Sequence, residues 1–329
     1  MKRREFITLL GGTAAAWPMA AFAQGPKLYR VGFLSPGSFA PETNPGRLMA
    51  EITRHLAQNG FTGGGNLELV NRGAEGHPDR LPGLVAGLVA AKVDVIVAFG
   101  YPVAAAAKEG TSTIPTVIFN TGDPVKMHLV ASLNRPGGNI TGISDVAGEL
   151  APKRLELLKQ AAPQLQRVAM LWNAGDLGMT ARYEASAAAA KALNVTVLAF
   201  GVREPSVFQG AFAAMERSMP DVLLMVADAH TALNRKQVFD FATKHRLPAI
   251  YEADNFARDG GLMSYGPDGA ETAERGANLV ERILKGEKPA DLPLEQPTRF
   301  RLVINLKTAK ALGIEVSSNL LAVADEVIE

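Results

Sequence analysis

The chain has no cysteine among its 329 residues. Disulfides, zinc–thiolate sites and a cysteine nucleophile are thereby excluded, and the absence suits an oxidising compartment. Also missing are a G-x-S-x-G elbow, H-E-x-x-H, G-x-G-x-x-G and a Walker A loop. The histidines, at 55, 77, 128, 230 and 245, are dispersed without ligand spacing. The expectation is a non-enzyme with no catalytic residues, metal or cofactor, although a triad assembled only in three dimensions would leave no such string. Charge of one sign is lacking too. Formal net charge is +1, of which Lys2, Arg3 and Arg4 against Glu5 supply +2, leaving about −1 for the rest. A near-neutral body has no electrostatic footprint for nucleic acid or an anionic membrane.

No long hydrophobic run is present. The most apolar stretch near the start, 8–20, is broken by Gly11, Gly12 and Pro18, whereas a spanning helix needs about 20 predominantly apolar residues. Its context is a processing signal instead. Arg3-Arg4 precedes Phe6-Ile7, and Ala21-Phe22-Ala23 is an A-x-A site before Gln24. Residues 1–23 therefore read as a twin-arginine signal peptide cleaved after Ala23. The twin-arginine export machinery, which carries folded cargo, becomes an expected partner, and the periplasm the expected location.

The remaining 300 or so residues have room for two lobes of ordinary size. Residues 93–99 are apolar and β-branched, as in a parallel strand buried on both faces. Gly100-Tyr101-Pro102 stops that strand and opens an Ala-rich helix at 103–108, with proline where its missing N–H costs little. A second run, 115–119, ends in Asn120-Thr121-Gly122-Asp123-Pro124. Strands at 28–34 and 66–72 with helices at 46–59 and 79–91 precede this unit, and a strand at 140–143 follows it. The pattern then restarts. Helices at 150–161, 179–193, 205–217 and 233–245 alternate with strands at 167–172, 195–200, 222–226, 249–251 and 261–264, with a short helix at 254–258. A helix at 271–285, a strand at 300–305 and a helix at 306–312 complete the chain. This order predicts an α/β protein of two doubly wound parallel-sheet lobes. Lobe 1 is expected to take 27–144 plus 266–296, and lobe 2 to take 145–265 plus 297–329. Crossings near Ser144, Tyr265 and Pro297 would form a three-strand hinge suited to closure.

In such sheets ligands bind outside the carboxyl ends of the strands. That places Ser35, Ser38, Gly100, Tyr101, Asn120, Gly122 and Asp123 of the first lobe beside a cleft. Backbone N–H groups at Tyr101 and near Asp123, with the serine hydroxyls, could hold a ligand carboxylate. Asn173, Asp228, Tyr251, Asp254 and Tyr265 stand at strand ends of the second lobe. Asp228 suits a ligand ammonium, but it equally suits an N-cap before Ala229-His230-Thr231. Asp123, ahead of Pro124, carries the same two readings. Tyr251 and Tyr265 would either wall an aromatic ligand or pack within the lobe. Trp172 reads as core.

Several strings resemble one family: FLSPGS (33–38), HPDRLPGLVAGLVAAKVDVIVA (77–98), GDPV (122–125) and ASLNRPGGNITGIS (131–144). KRLELLK (153–159), KHRLPAIY (244–251), GGLMSYGP (260–267) and ILKGEKPADLPLEQPTRFRLVINLKTAKALG (283–313) extend the match over the mature chain. It is similar to ABC-transporter substrate-binding proteins related to tryptophan/tyrosine-binding lipoproteins, with the type I periplasmic-binding-protein fold. The resemblance implies a monomer that captures a small molecule, an amino acid or an aromatic carboxylate, by hinge closure. Delivery to an inner-membrane ABC permease with its ATPase would follow. A sensory binding protein that presents its liganded form to a receptor kinase or chemoreceptor would share the same fold. The chain departs from the family at Tyr101, where a small residue is common, and at Lys126-Met127-His128. Its twin-arginine leader, in place of a lipoprotein signal, implies a soluble protein.

Overall fold

The computed structural model describes residues 27–40, 44–203 and 207–329; the leader read at 1–23 lies outside them. Strands β1 (Tyr29–Ser35), β2 (Leu67–Gly73), β3 (Val95–Phe99), β4 (Thr116–Phe119) and β5 (Ile140–Ile143) alternate with helices α1 (Asn44–Gln58), α2 (Leu81–Ala90) and α3 (Tyr101–Gly110). They form one sheet in the order β2-β1-β3-β4-β5, parallel throughout. Successive side chains of a strand point to opposite faces, and β3 is apolar at every position because both faces are covered. Val95, Val97 and Phe99 join a core with Ile52 and Leu56 of α1. Ile96 and Ala98 join another with Val85 of α2 and Val103 of α3.

The second body begins with α4 (Ala151–Ala161), β6 (Arg167–Asn173), α5 (Leu177–Ala192), β7 (Thr196–Val202), α6 (Phe208–Ser218) and β8 (Val222–Met225). It continues through α7 (Ala229–Leu233), α8 (Arg235–Lys244), β9 (Ala249–Tyr251), α9 (Asp254–Arg258) and β10 (Met263–Pro267). The chain then sends α10 (Gly269–Leu284) back to the first sheet, where Ala273, Ala277 and Val280 enter its core. Gly276 is required there, since a Cβ would lie 2.0 Å from the Phe119 ring. Strand β11 (Phe300–Asn305), α11 (Leu306–Leu312), α12 (Ser318–Ala322) and β12 (Glu326–Ile328) finish the second body. Its sheet runs β12-β11-β10-β9-β8-β6-β7. These two α/β bodies, joined by three crossings, have the type I periplasmic-binding-protein fold.

The structure differs from the sequence reading in three places. The second sheet is not wholly parallel: β10 leaves at Pro267 towards the first body and β11 returns beside it at Phe300, so the pair runs antiparallel. β12, which has no counterpart in the sequence reading, pairs parallel with β11 at the sheet edge. The helix expected at 233–245 is α8, and a separate short helix, α7, which the sequence reading lacked, precedes it across Asn234.

The crossings lie side by side. Ser144 N donates to Glu295 O and Glu295 N to Gly142 O, each at 2.9 Å, and Asp268 N donates to Arg299 O at 2.9 Å. Glu271 of α10 fastens the last crossing, accepting from Thr298 Oγ1 at 2.6 Å, Arg299 N at 2.8 Å and Arg275 Nε at 3.0 Å. Burial alone would raise its carboxyl, but these hydrogen bonds outweigh burial and hold it at about 2. A depressed carboxyl stabilises the fold above its unfolded pKa and loses that contribution as pH falls towards 2. Glu271→Gln should therefore cost ~2–3 kcal/mol at pH 7, with the gap to the parent narrowing between pH 4 and pH 2 in urea unfolding.

Candidate functional site

The carboxyl ends of both parallel arrays open into one cavity of about 210 Å³, the size for a metabolite rather than a drug-sized molecule, whose pockets run to roughly 300–1,000 Å³. From the first body come the loop after β1, Gly100 between β3 and α3, and Asn120 after β4. Gly100 has φ +85° and Asn120 φ +55°, left-handed turns that end each strand abruptly at the cavity rim. From the second body come Asn173 after β6, Asp176 at the start of α5, Asp228 at the start of α7, and Glu252 and Asp254 after β9.

Of the residues singled out in the sequence, Ser35, Ser38, Gly100, Asn120, Asn173, Asp228 and Asp254 line this cavity. Ser35 is fully buried, and its hydroxyl accepts from Gly37 N at 3.1 Å to shape the loop. The structure places Tyr101, Gly122, Asp123, Tyr251 and Tyr265 off the cavity lining. Asp123 is exposed, its carboxylate accepting from Val125 N at 3.0 Å and Lys126 N at 3.1 Å as a turn cap. Tyr251 is core: its ring is 5.6 Å from that of Phe256, stacked, and 5.2 Å from Phe239, edge-on. Burial pushes its phenol well above the ordinary value. Tyr265 is half-buried against the second body's core, 6.4 Å from the Phe300 ring. Tyr101 and Gly122 meet the other body. A Cβ on Gly178 of α5 would lie 3.0 Å from Tyr101 Cβ and 3.4 Å from Thr121 O, and one on Gly122 would lie 3.9 Å from Gly178 O. The position before Met179 therefore needs a residue without a side chain for the bodies to approach this closely. Trp172 is buried, stacked on Tyr183 at 3.8 Å.

The sequence reading passed over the groups that dominate the cavity's electrostatics. Arg154 of α4 is 1% exposed. It donates Nη1 to Glu252 Oε1 at 3.0 Å and to Ala147 O at 2.9 Å, and Nε to Tyr265 O at 2.8 Å. Arg182 of α5 donates Nη1 to Glu252 Oε2 at 2.9 Å and Nη2 to both Asp145 Oδ2 and the first body's Asn120 O. Glu252 Oε2 also accepts from Ala227 N at 3.0 Å. Burial pulls the Arg154 guanidinium below its usual value against the pull of Glu252. For Arg182 burial acts the same way, but Asp145 and Glu252 overcome it and raise the group. Two arginines are thus committed to two carboxylates. The available signals were positional: Asp145 sits in a crossing, and Asp176 and Glu252 follow strand ends.

Two further carboxylates on the same wall have no guanidinium of their own. Asp176 caps α5, with Oδ1 accepting from Gly178 N at 2.8 Å and Met179 N at 3.3 Å. Asp228 caps α7, with Oδ1 accepting from Thr231 N at 2.8 Å, while Oδ2 accepts from Asn173 Nδ2 at 2.6 Å. Asn173 Oδ1 accepts from Gly175 N at 2.9 Å, which fixes the orientation of its amide. Burial first, and the charge of Asp228 second, push the Asp176 carboxyl up to about 6. Asp254 turns towards Arg258 at 3.2 Å, and Arg235 towards Asp259 at 3.0 Å.

Comparison with known proteins locates this geometry among binding proteins. A family model described as ABC transporter substrate binding protein matches residues 47–328. A tyrosine-binding protein of Clostridioides difficile (strain R20291) is 26% identical over 260 residues, 79% of this chain and 74% of that protein. An ABC domain from Streptococcus pneumonia solved in complex with L-Trp is 25% identical, with a TM-score of 0.84 over 92% of this chain and 100% of that one. A ligand-free, open substrate-binding protein with adhesive properties from Clostridium difficile is also 25% identical. Its TM-score is 0.65 over 92% of this chain and 99% of that one.

A carboxyl raised in the folded state favours folding most at low pH and loses that contribution as pH rises through the folded value. Asp176→Asn keeps the capping oxygen and removes the buried charge. In ligand-free protein it should raise stability by ~1–3 kcal/mol at pH 8 and change it little below pH 4, read by urea unfolding at both pH values.

Proposed function

This chain belongs to the ABC transporter substrate-binding protein family, and from that membership we propose that it captures an amino-acid-sized ligand, an aromatic amino acid or a related carboxylate, between its two bodies. The twin-arginine leader supports capture in the periplasm, followed by delivery to an inner-membrane permease with its ATPase. The observation that carries the reading is the cavity itself: both bodies supply its wall from strand-end loops, so a ligand there touches both. Closure is favoured only by contacts a ligand gains in the closed state, and a cleft with two walls supplies them.

The walls divide the work by charge. On the first body, the turns at Gly37-Ser38 and Gly100 bring polar backbone and hydroxyl groups to the wall where a carboxylate would sit. On the second, Asp228 offers acceptors and opposing charge for an ammonium. Pro36, Leu48, Phe99, Pro102, Met179 and Phe256 give apolar surface for a side chain between them.

Hinge closure is supported by the comparison of scores. At equal identity, the chain matches the L-Trp-bound structure at 0.84 and the ligand-free open one at 0.65. Contacts between the bodies fit a closed arrangement: Arg47 of α1 lies 3.5 Å from Asp259 beyond α9, and Arg182 Nη2 lies 3.3 Å from Asn120 O. Micromolar capture corresponds to about −8.2 kcal/mol, within reach of a few charge-assisted hydrogen bonds and one buried side chain.

A thermal-shift screen of refolded, ligand-free protein against amino acids, aromatic carboxylates, short peptides and sugars tests the reading. Ligand at 100-fold its Kd stabilises by about 2.7 kcal/mol, so tyrosine, tryptophan or a relative should raise the melting temperature; shifts only with sugars or peptides would overturn the assignment. Asp228→Asn, which keeps the α7 cap, should cost ~2–5 kcal/mol of affinity for an amino acid. Unchanged affinity in titration calorimetry would remove Asp228 from the site.

A further inference from the structure

We infer that Gly178 and Tyr101 form the stop that sets how far the two bodies close, so that ligand affinity depends on this pair although neither residue touches the ligand. The inference rests on the capture of a small ligand between the bodies and adds to it a positioning role outside the cavity.

Gly178 is the second residue of α5, and its backbone is helical rather than left-handed. Alanine would fit that backbone and is the better helix former, so the demand for glycine is one of space. A Cβ at this position would lie 3.0 Å from Tyr101 Cβ and 3.4 Å from Thr121 O, both in the first body. Carbon atoms in favourable contact stand about 3.5–4.0 Å apart. No partner in this contact is soft. Tyr101 Cβ is fixed by its backbone whatever rotamer the ring adopts, and the ring packs against the first body's core. Thr121 O is itself backbone, in a fully buried residue. On the other side, Asp176 Oδ1 holds the first turn of α5 by accepting from Gly178 N at 2.8 Å and Met179 N at 3.3 Å. Met179, next along, is buried in the second body's core.

The start of α5 is where the bodies bear on each other. One turn along, Arg182 Nη2 donates to Asn120 O at 3.3 Å, and a Cβ on Gly122 would lie 3.9 Å from Gly178 O. The helix thus rests on the loops after β3 and β4, the same loops that bring Gly100 and Asn120 to the cavity. An atom added at position 178 is accommodated by moving the walls apart, which takes ligand contacts away from one of them. Neither Gly178 nor Tyr101 lines the cavity, so the loss acts through the gap alone. Closure is favoured only by what the ligand gains in the closed state, and a wider gap shortens the bound lifetime. The remaining close neighbour of a Cβ at 178, Asp176 Oδ1 at 3.2 Å, belongs to the same helix cap. It is met whether or not the bodies are together, and stability of the ligand-free protein separates its effect from the stop.

Calorimetric titration and stopped-flow dissociation of the refolded protein with L-tyrosine and L-tryptophan test this. Gly178→Ala should weaken binding about threefold and Gly178→Leu about tenfold or more, chiefly through faster dissociation. The urea midpoints of both ligand-free variants should stay at or above that of the parent. Tyr101→Gly removes the opposing Cβ, and in that background Gly178→Ala should cost almost nothing. Tyr101→Ala keeps the Cβ and loses only the ring, and there the roughly threefold cost should remain; such coupling is the mark of direct contact. Unchanged affinity in Gly178→Leu, an equal cost of Gly178→Ala in the two Tyr101 backgrounds, or an affinity loss matched by a fall in ligand-free stability would each overturn the stop while leaving capture standing. A parent protein that binds neither amino acid would overturn both.

Discussion

Two guanidinium groups buried between helices α4 and α5 constrain the whole second wall of the cleft. A buried arginine without a partner is costly, so Arg154 and Arg182 dictate where carboxylates must stand: Glu252 between them, and Asp145 beyond Arg182. Each of those carboxylates lies at a junction. Glu252 follows β9 and receives the backbone N–H of Ala227 at the end of β8, which ties two strand ends together. Asp145 lies in the first crossing, so α5 is tied to the path the chain takes between bodies. Through Asn120 O the same guanidinium reaches the end of β4. One side chain thus connects a helix of one body, a crossing and a strand end of the other.

The cavity follows from what this network leaves over. Strand ends in both sheets are stopped by residues that can turn sharply or cap a helix, and the capping oxygens are necessarily at the rim. Asp176 caps α5 through Oδ1, whereas Asp228 caps α7 through Oδ1 and holds the Asn173 amide through Oδ2; both stand on the cavity wall. The capping role itself keeps these carboxylates at the rim, because helix N-termini in parallel α/β bodies point at the cleft.

The sequence made the scaffold legible for a physical reason: a strand covered on both faces must be apolar throughout, and VIVAF at β3 or VLLM at β8 cannot be read otherwise. Loop residues at the ends of those strands were legible for the same reason, which is why Ser38, Gly100, Asn120, Asn173, Asp228 and Asp254 fall on the cavity. Arg154 and Arg182 were not, because in KRLELLK and MTARYEA a charge on a helix reads as solvent-facing until the strand ends and the crossing that cover it are in place. Tyr251 was drawn to the site by its polar tip, whereas its position at a strand end beside Phe239 and Phe256 directs the ring into the core. Edge strand β12 has only EVI to show for itself, and its pairing depends on a partner that itself enters antiparallel.

The path of α10 also sets the order in which the molecule can be completed. All strands of the first sheet lie before residue 144, yet one face of that sheet is covered by Ala273, Ala277, Leu279, Val280, Ile283 and Leu284. During synthesis the earlier-made body must wait, with Phe119 and its neighbours uncovered, until nearly the entire chain has left the ribosome. The second sheet likewise lacks β11 and β12 until the final thirty or so residues emerge. Each body needs a segment made long after its first strand, α10 for the first and β11 with β12 for the second, so completion depends on long-range contacts, which are slow to form and leave apolar surface open meanwhile. An amino-terminal fragment ending at the first crossing would carry a complete sheet and still lack a complete core.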